Sequence, residues 1–583
     1  MKQKQRGKFF DAKRKSRILP SVLTGLALAL IVFIAAPIDI FANNLEEFAF
    51  SFSDFGILSV LFAVLLTAIV TAVLLCVPEK GYRVTKGVLL AIALLLFLQQ
   101  NFLNFGLDSL PGDNLGTEGP SVFLVVSDGA IWIAVIFAAV FFSLKKDGKG
   151  IVSTVCLVLA LMISVSQIVS PLTVVLSHDN VFVNYLDRTE GAMTIATDKN
   201  YTSVASSRNI YYFCIDRFDE KFAEQAYAED PGLFADLVGF TWYRDHVSLY
   251  GHTYPAVASM LTNKPYDPQK GRAEYLDSAY EGDTPLKRLH DEGYTVNIYS
   301  QSYYAYTNAG KLPGYVDNVL AAKGSVRGLG SPALTFTMTG FSLYRGAPLF
   351  MKSWFNGVNS SSVNNIVKYY GESGGKRYGA YNTDNKAAYF AAKKAGFSGG
   401  DYEKAFTFLH VEGCHNTDYD RKWHHTAGKG SIVDSVANSF EIVDLYLNDL
   451  RARGLYESAT IVITGDHSHP VSDGREVREP RRTALFVKPA GKGEKDEFLL
   501  SDAQTSHSDL WATIFRSENL HYEADYGTPV TEIGEGENRK RMYYWHTYGY
   551  PFCEYVYEID GSASDMKNWK QVSCRRFDKR VTD

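Results

Sequence analysis

The sequence predicts a chain in two parts: an N-terminal bundle of five membrane-spanning helices, then an extracytoplasmic α/β domain. That domain has a mostly parallel central sheet and a small antiparallel β appendage. Three observations predict this. The long apolar runs lie almost entirely before about residue 177, and the loops between them alternate between basic and non-basic. Beyond them, short apolar strand-like runs alternate with helix-like segments and end abruptly in Asp or His.

The five runs are Leu19–Ile38, Ile57–Val77, Gly87–Leu103, Val122–Leu144 and Ile151–Leu176. Each approaches or exceeds the roughly 20 residues that cross a bilayer core as a helix. Met1 to Arg17 carries eight Lys or Arg and a single acid, and Glu79–Lys86 and Lys145–Lys149 carry three basic residues each. The intervening loops, Asp39 to Asp54 and Asn104 to Asp128, have no Lys or Arg. The positive-inside rule then places the N-terminus in the cytoplasm and, after five crossings, everything beyond about Ser177 outside. The first run is followed by further spans and lacks a small-residue cleavage pattern, so it reads as an anchor. A transporter would carry paired ionisable residues in its spans, whereas apart from Asp128 these have almost none. The formal net charge of −5 over 583 residues argues against a nucleic-acid partner.

Residues 1–177 are therefore read as the transmembrane domain, 178–207 as a polar linker, 208–522 as the catalytic domain and 523–583 as the β-rich appendage. Four cysteines, Cys214, Cys414, Cys553 and Cys574, fall in the outer part, where an oxidising compartment permits bridges. Cys553–Cys574 reads as a local bridge, and Cys214–Cys414 as a second if their strands are neighbours; the sequence does not choose among the three possible connectivities.

In the outer domain "NIYYFCIDRF", "YTVNIYS", "AFTFLHVEG" and "SATIVITGDHS" read as buried strands. "SVANSFEIVDLYLNDLRARG" has apolar residues at helical spacing and a glycine after its last turn. Alternation of this kind points to a parallel sheet, whose ligands sit beyond the carboxyl ends of the strands. Those ends deliver Asp216, His410 and the pair Asp466–His467.

An Asp and a His adjacent at a strand end supply one oxygen and one nitrogen ligand. With Asp216 and a threonine hydroxyl they form a four-ligand N/O set suited to one divalent metal, Zn2+ or Mn2+. The threonine is Thr253, in "GHTYPAVASMLTN", just ahead of a predicted helix. Thr is a common N-cap, so capping is one reading. The other is a nucleophile, activated by a metal that lowers its pKa and placed where a helix N-terminus favours phosphate oxygens. "FLHVEGCHNTDYDRKWHH" adds His410 and His415, and His469 follows the Asp–His pair; these could bind substrate or handle protons. His424 and His425 read as an exposed polar loop.

These residues resemble the sulfatase and alkaline-phosphatase superfamily, and within it the membrane-anchored sulfatase-like phosphotransferases. Thr253-Tyr254-Pro255 opens, and Leu261-Thr262-Asn263 closes, a segment similar to the sulfatase nucleophile motif. "YYFCIDRF", "GLYESATIVITGDHS", "LHDEGYTVNIYS" and "SHSDLWATI" are similar to superfamily landmarks in the same order, over about residues 208 to 515. "LHVEGCHNTDY" is similar to a segment of lipid A phosphoethanolamine transferases, with His410, Gly413, His415 and Tyr419 matching; the spans add a likeness to lipoteichoic acid synthases. The resemblance implies Thr253 as nucleophile, with Asp216, Thr253, Asp466 and His467 as metal ligands. Both transferase families usually have Glu where this chain has Asp216, and Thr253 cannot become the formylglycine that sulfate-ester hydrolysis needs.

The function expected is transfer of a phospho-alcohol headgroup, glycerol phosphate or phosphoethanolamine, from a phospholipid donor to a glycolipid or envelope-polymer acceptor. Phosphodiester or other ester hydrolysis on the same nucleophile is the alternative. A non-catalytic binding protein would have no need of an activated threonine.

Overall fold

The computed structural model describes residues 2–43, 50–104, 121–145, 150–177, 194–306, 314–325, 331–355, 368–469, 477–547 and 552–577. The chain forms two compact units. One comprises Met1–Gly191 with Gly324–Lys368, the other Ala192–Lys323 with Tyr369–Asp583.

Among the described residues, the first unit contains five helices long and apolar enough to cross a membrane: Lys15–Asn43, Ser53–Cys76, Glu79–Leu103, Val122–Leu144 and Ile151–Thr173. The first and third each include a π turn, Ile31–Ala35 and Gln99–Leu103. Their surface is inverted relative to a water-soluble bundle. Leu61, Val64, Leu65, Phe137 and Met162 are exposed while Ser21, Thr24, Ser59 and Ser164 are buried. This is what helices need when they hide polar side chains from an apolar solvent. At one end of the bundle Arg17 pairs with Glu79 and donates to the Val77 carbonyl at 3.2 Å, and Arg83 donates to the Lys145 carbonyl at 3.2 Å.

Residues 324–368, which the sequence leaves inside the outer domain, belong to this first unit. They include a 15-residue helix, Pro332–Gly346, capped by the Ser331 hydroxyl, and a 3-10 turn, Leu349–Phe355. Of the stretch read as a linker, 178–193 lie outside the described residues. The rest contains two short strands, Thr194–Ala196 and Ser203–Val204, and the first pairs with Val319–Ala321.

The second unit is built on a seven-stranded sheet. In chain order its strands are β1 (Arg208–Ile215), β2 (Thr241–Tyr243), β3 (Tyr294–Tyr299), β4 (Lys404–Val411), β5 (Thr460–Thr464), β6 (Leu485–Lys488) and β7 (Leu499–Ser501). Across the sheet the order is β7-β2-β6-β5-β1-β4-β3, with β6 alone antiparallel to its neighbours. Both faces are buried. On β1, Ile210, Tyr212 and Cys214 enter one apolar cluster while Tyr211, Phe213 and Ile215 enter the other. This two-faced burial explains why the strands read as continuous apolar runs. The helix Ile432–Ala452 covers the second face with Val436, Phe440, Val443, Tyr446 and Leu447.

The appendage is a three-stranded antiparallel sheet: β8 (Lys540–His546), β9 (Phe552–Asp560) and β10 (Trp569–Phe577). All six cysteines are free thiols, so neither a Cys553–Cys574 nor a Cys214–Cys414 bridge is formed. Cys553 and Cys574 sit diagonally across β9 and β10, since Cys574 faces Tyr555 and Cys553 faces Arg576. Cys214 and Cys414 are both buried, the latter in the turn after β4.

Candidate active site

Three adjacent strands, β4, β1 and β5, end in register: His410 lies beside Cys214, and Cys214 beside Thr464. One to three residues past the strand ends, the chain reaches Asp216 and Asp466–His467. The turn after β4 holds this edge together. The Asp216 N–H donates to the Val411 carbonyl and the Cys414 N–H to the Asp216 carbonyl, at 3.0 and 2.8 Å. Gly413 has φ +58° and presses on Asp216, so a Cβ there would lie 2.5–2.8 Å from Ile215 and the Asp216 backbone; no side chain fits.

The helix carrying Thr253 runs Thr253–Thr262, with His252 as its N-cap and no side-chain cap bond. Capping is therefore not what Thr253 does. Its hydroxyl lies 3.4 Å from Asp216 Oδ2 and 3.3 Å from His467 Nε2. His467 Nε2 is also 3.8 Å from Asp216 Oδ1 and 3.5 Å from Asp466 Oδ2. His410 Nε2 is 3.8 Å from Asp216 Oδ2, and ligand atoms of Asp216, His410 and Asp466 all lie within 4.8 Å of one another.

This edge gathers two carboxylates and two imidazoles out of water. Asp216, Asp466, His410 and His467 are all buried. Burial, then the Asp466 charge, pushes the Asp216 carboxyl well above its usual range, against the pull of Arg217. Burial holds His410 down at about 4 and His467 well below the usual imidazole range, so both rings are neutral with lone pairs to offer. Among the described residues, Asp216 Oδ1, Asp466 Oδ2 and His410 Nε2 are buried without a hydrogen-bond partner. Orphaned acceptors converging from three strands are costly unless a cation completes them. The donor set thus fits a divalent metal. Ser300, just after β3, holds His410 Nδ1 at 3.0 Å, and the Ser468 carbonyl holds His467 Nδ1 at 2.6 Å; such contacts fix ring orientation.

The structure brings Asp216, Thr253, Asp466 and His467 together, and it adds His410 to the carboxylates. His415 is close enough to depress both His410 and His467. His469 is half-buried, its ring against Phe222, and held down at about 4 by burial and Arg217. His424 is exposed and paired with Asp420.

Two features escape the sequence reading. Arg217 follows Asp216 with φ +55° and donates its N–H to Asp466 Oδ1 at 3.0 Å, a cation built into the edge. Its place beside the first strand-end carboxylate was a usable signal. The second is the appendage. The Gly251 N–H donates to the Tyr544 carbonyl at 3.1 Å and the Tyr544 N–H to the Leu249 carbonyl at 2.9 Å. His252 Nε2 bonds the His546 carbonyl at 2.7 Å, and the His252 ring lies 4.5 Å from that of Trp545. A Cβ on Gly251 would meet the Trp545 ring at 2.5 Å. Strand β8 therefore clamps the segment that delivers Thr253, and no local pattern announces it.

Residues 239–517 match the Sulfatase family model. No curated protein matches the chain. Among solved structures, a protein in the alkaline phosphatase superfamily from Vibrio parahaemolyticus is 12% identical, with 67% of this chain and 85% of that chain covered at a TM-score of 0.37. The phosphonate monoester hydrolase from Silicibacter pomeroyi is 12% identical, with 64% and 89% covered at 0.36. The lipoteichoic acid synthase LtaP from Listeria monocytogenes is 10% identical, with 66% and 92% covered at 0.33. Likeness at this level carries nothing about substrate.

Proposed function

We propose that the chain, whose residues 239–517 match the Sulfatase family model, is a membrane-anchored, metal-dependent phosphotransferase with Thr253 as its nucleophile. The observation that carries the reading is the Thr253 hydroxyl, within 3.4 Å of Asp216 and His467 at the edge of a buried carboxylate–imidazole cluster. Asp216, Thr253, Asp466 and His467 would hold one Mn2+ or Zn2+, with His410 beside them. When bound, such a metal lowers the pKa of the threonine hydroxyl and offsets charge on phosphoryl oxygens.

The Thr253 oxygen attacks the phosphorus of a phospholipid headgroup. The P–O bond to diacylglycerol breaks, diacylglycerol leaves with a proton, and a phospho-threonine ester remains. A hydroxyl of a glycolipid or envelope polymer then attacks that phosphorus, releasing Thr253. His410 would help hold the geometry of the site from beside the metal ligands. His415 and His469 are left to orient the headgroup. The catalytic unit faces outside the cell membrane in this reading. The loop charges support it. A donor confined to the bilayer explains why the enzyme is anchored there. The headgroup transferred is glycerol phosphate or phosphoethanolamine.

Intact mass of the full-length chain, in detergent with Mn2+ and mixed phospholipids, tests this. An adduct of a headgroup phosphate present with Thr253 and absent in Thr253→Ala is the expected result. No adduct, with metal bound and phospholipid unchanged, would overturn it. An adduct resolved by water even in the presence of glycolipid acceptor would make the enzyme a phosphodiesterase.

A further inference from the structure

Residues 331–355 make an unusual set of contacts within the first unit. The Ser331 N–H donates to the Asp54 carbonyl at 2.9 Å, and the Thr335 hydroxyl to the Phe55 carbonyl at 3.4 Å, both at the start of the second span. Arg345 forms an ion pair with Asp39 near the end of the first span, and its Nε donates to the Gln100 carbonyl at 3.3 Å, near the end of the third. The Leu349 N–H donates to Asp128 Oδ2 at 2.7 Å, in the first turns of the fourth. Every anchor falls at the same end of the bundle, opposite Arg17, Glu79, Arg83 and Lys145.

With those anchors made, the side chains left outside are apolar. Phe336 is 64% exposed, Leu343 36%, Phe350 53% and Trp354 74%. The charged groups point the other way. Arg345 is spent on Asp39. Lys352 is buried and donates to the Tyr344 carbonyl at 2.7 Å. Gly328 to Tyr344 contains no Asp, Glu, Lys or Arg. In water this arrangement is inside out.

It is continuous with the apolar surface of the spans. The Phe336 ring lies 5.5 Å from that of Phe62 on the second span, which also exposes Leu61 and Leu65. Phe350 lies against Gly129 on the fourth span, which also exposes Val126 and Ile133.

We propose that residues 332–355 form a membrane-embedded cap whose Phe336, Leu343, Phe350 and Trp354 side chains contact phospholipid of the outer leaflet. The occupant of this face is lipid because the face extends a lipid-facing surface without a charged break. A Trp beside inward-turned basic residues is also the composition of an interfacial element. The proposal rests on the reading of the five helices as membrane spans.

The test places the photo-crosslinker p-benzoylphenylalanine singly at Phe336, Phe350 or Trp354 of the full-length chain. The protein is reconstituted in phosphatidylcholine–phosphatidylglycerol nanodiscs, illuminated, and weighed for lipid adducts. Leu65 serves as the span position and Phe390, an exposed aromatic of the second unit, as the water-facing one. Adducts at all three cap positions comparable with Leu65, and about tenfold above Phe390, are expected. Adducts at Leu65 with cap yields no higher than at Phe390 would overturn the cap alone. No adduct at Leu65 would overturn the membrane reading and the cap with it.

Discussion

The Thr253 hydroxyl lies 3.4 Å from Asp216 Oδ2, across 37 residues of chain, and 3.3 Å from His467 Nε2, across 214. A threonine at a helix start has a simple use as a cap, and here the cap residue is His252 with no side-chain bond. The hydroxyl is instead aimed at the charged edge of the sheet. Thr253→Ser keeps that oxygen without the β-methyl, and should retain the headgroup adduct at a reduced rate. Thr253→Ala should lower turnover by on the order of 10^3-fold or more, since a nucleophile cannot be replaced by binding alone. Single-turnover mass spectrometry with Mn2+ and phospholipid separates the two.

Removing the metal should cost both activity and stability. Treatment with EDTA should abolish the adduct and lower the unfolding temperature, because a ligand at about 100 times its Kd contributes about 2.7 kcal/mol. His410→Ala tests whether the ring belongs with the carboxylates. A loss of metal affinity on the order of 10–100-fold, read by isothermal titration calorimetry, is expected for a group that supports a metal site. Unchanged affinity with lowered turnover would return His410 to a purely substrate-binding role.

Strand β8 should matter to catalysis through the segment it clamps. Trp545 is 3% exposed and packs on Gly251 and His252. Trp545→Ala should destabilise the second unit by about 3–5 kcal/mol. A milder variant, Trp545→Phe, should keep the fold and the metal while slowing phospho-threonine formation. Equal rates in Trp545→Phe and wild type, at equal metal occupancy, would show that the clamp does not position Thr253.

Lys488 offers a pH test away from the site. It is fully buried in β6, donates to the Ala459 carbonyl at 2.9 Å, and burial pushes its ammonium down to about 7. An unfolded lysine titrates near about 10.4. Between those values the unfolded chain holds a proton that the folded chain lacks, so stability rises with pH across that window, by up to about 1.4 kcal/mol per pH unit. Below the window both states are protonated and the penalty is constant. Lys488→Met should flatten this rise; thermal unfolding of variant and wild type at pH 7, 8 and 9 gives the comparison.

How much of this was legible follows from the range of each interaction. The five long helices show in composition because their apolar runs are continuous over roughly 20 residues, and the buried strands show as continuous apolar runs because both faces of the sheet are covered. Asp216, His410 and Asp466–His467 were legible for the same reason: a parallel strand must stop where its chain turns polar, and ligands gather there. Arg217 sits one residue past that signal.

By itself the sequence determined the five helices, the strand ends and the residues that could meet there, because each is written in a local pattern of a few turns. Only the tertiary structure decided that His410 joins the carboxylates, that β8 holds the segment before Thr253, and that residues 331–355 pack on the helical bundle. Those contacts join His252 to His546 across 294 residues and Arg345 to Asp39 across 306. No local pattern encodes them: they form because an orphaned buried acceptor, an unfilled space or an uncovered apolar face must find its complement wherever the folded chain supplies it.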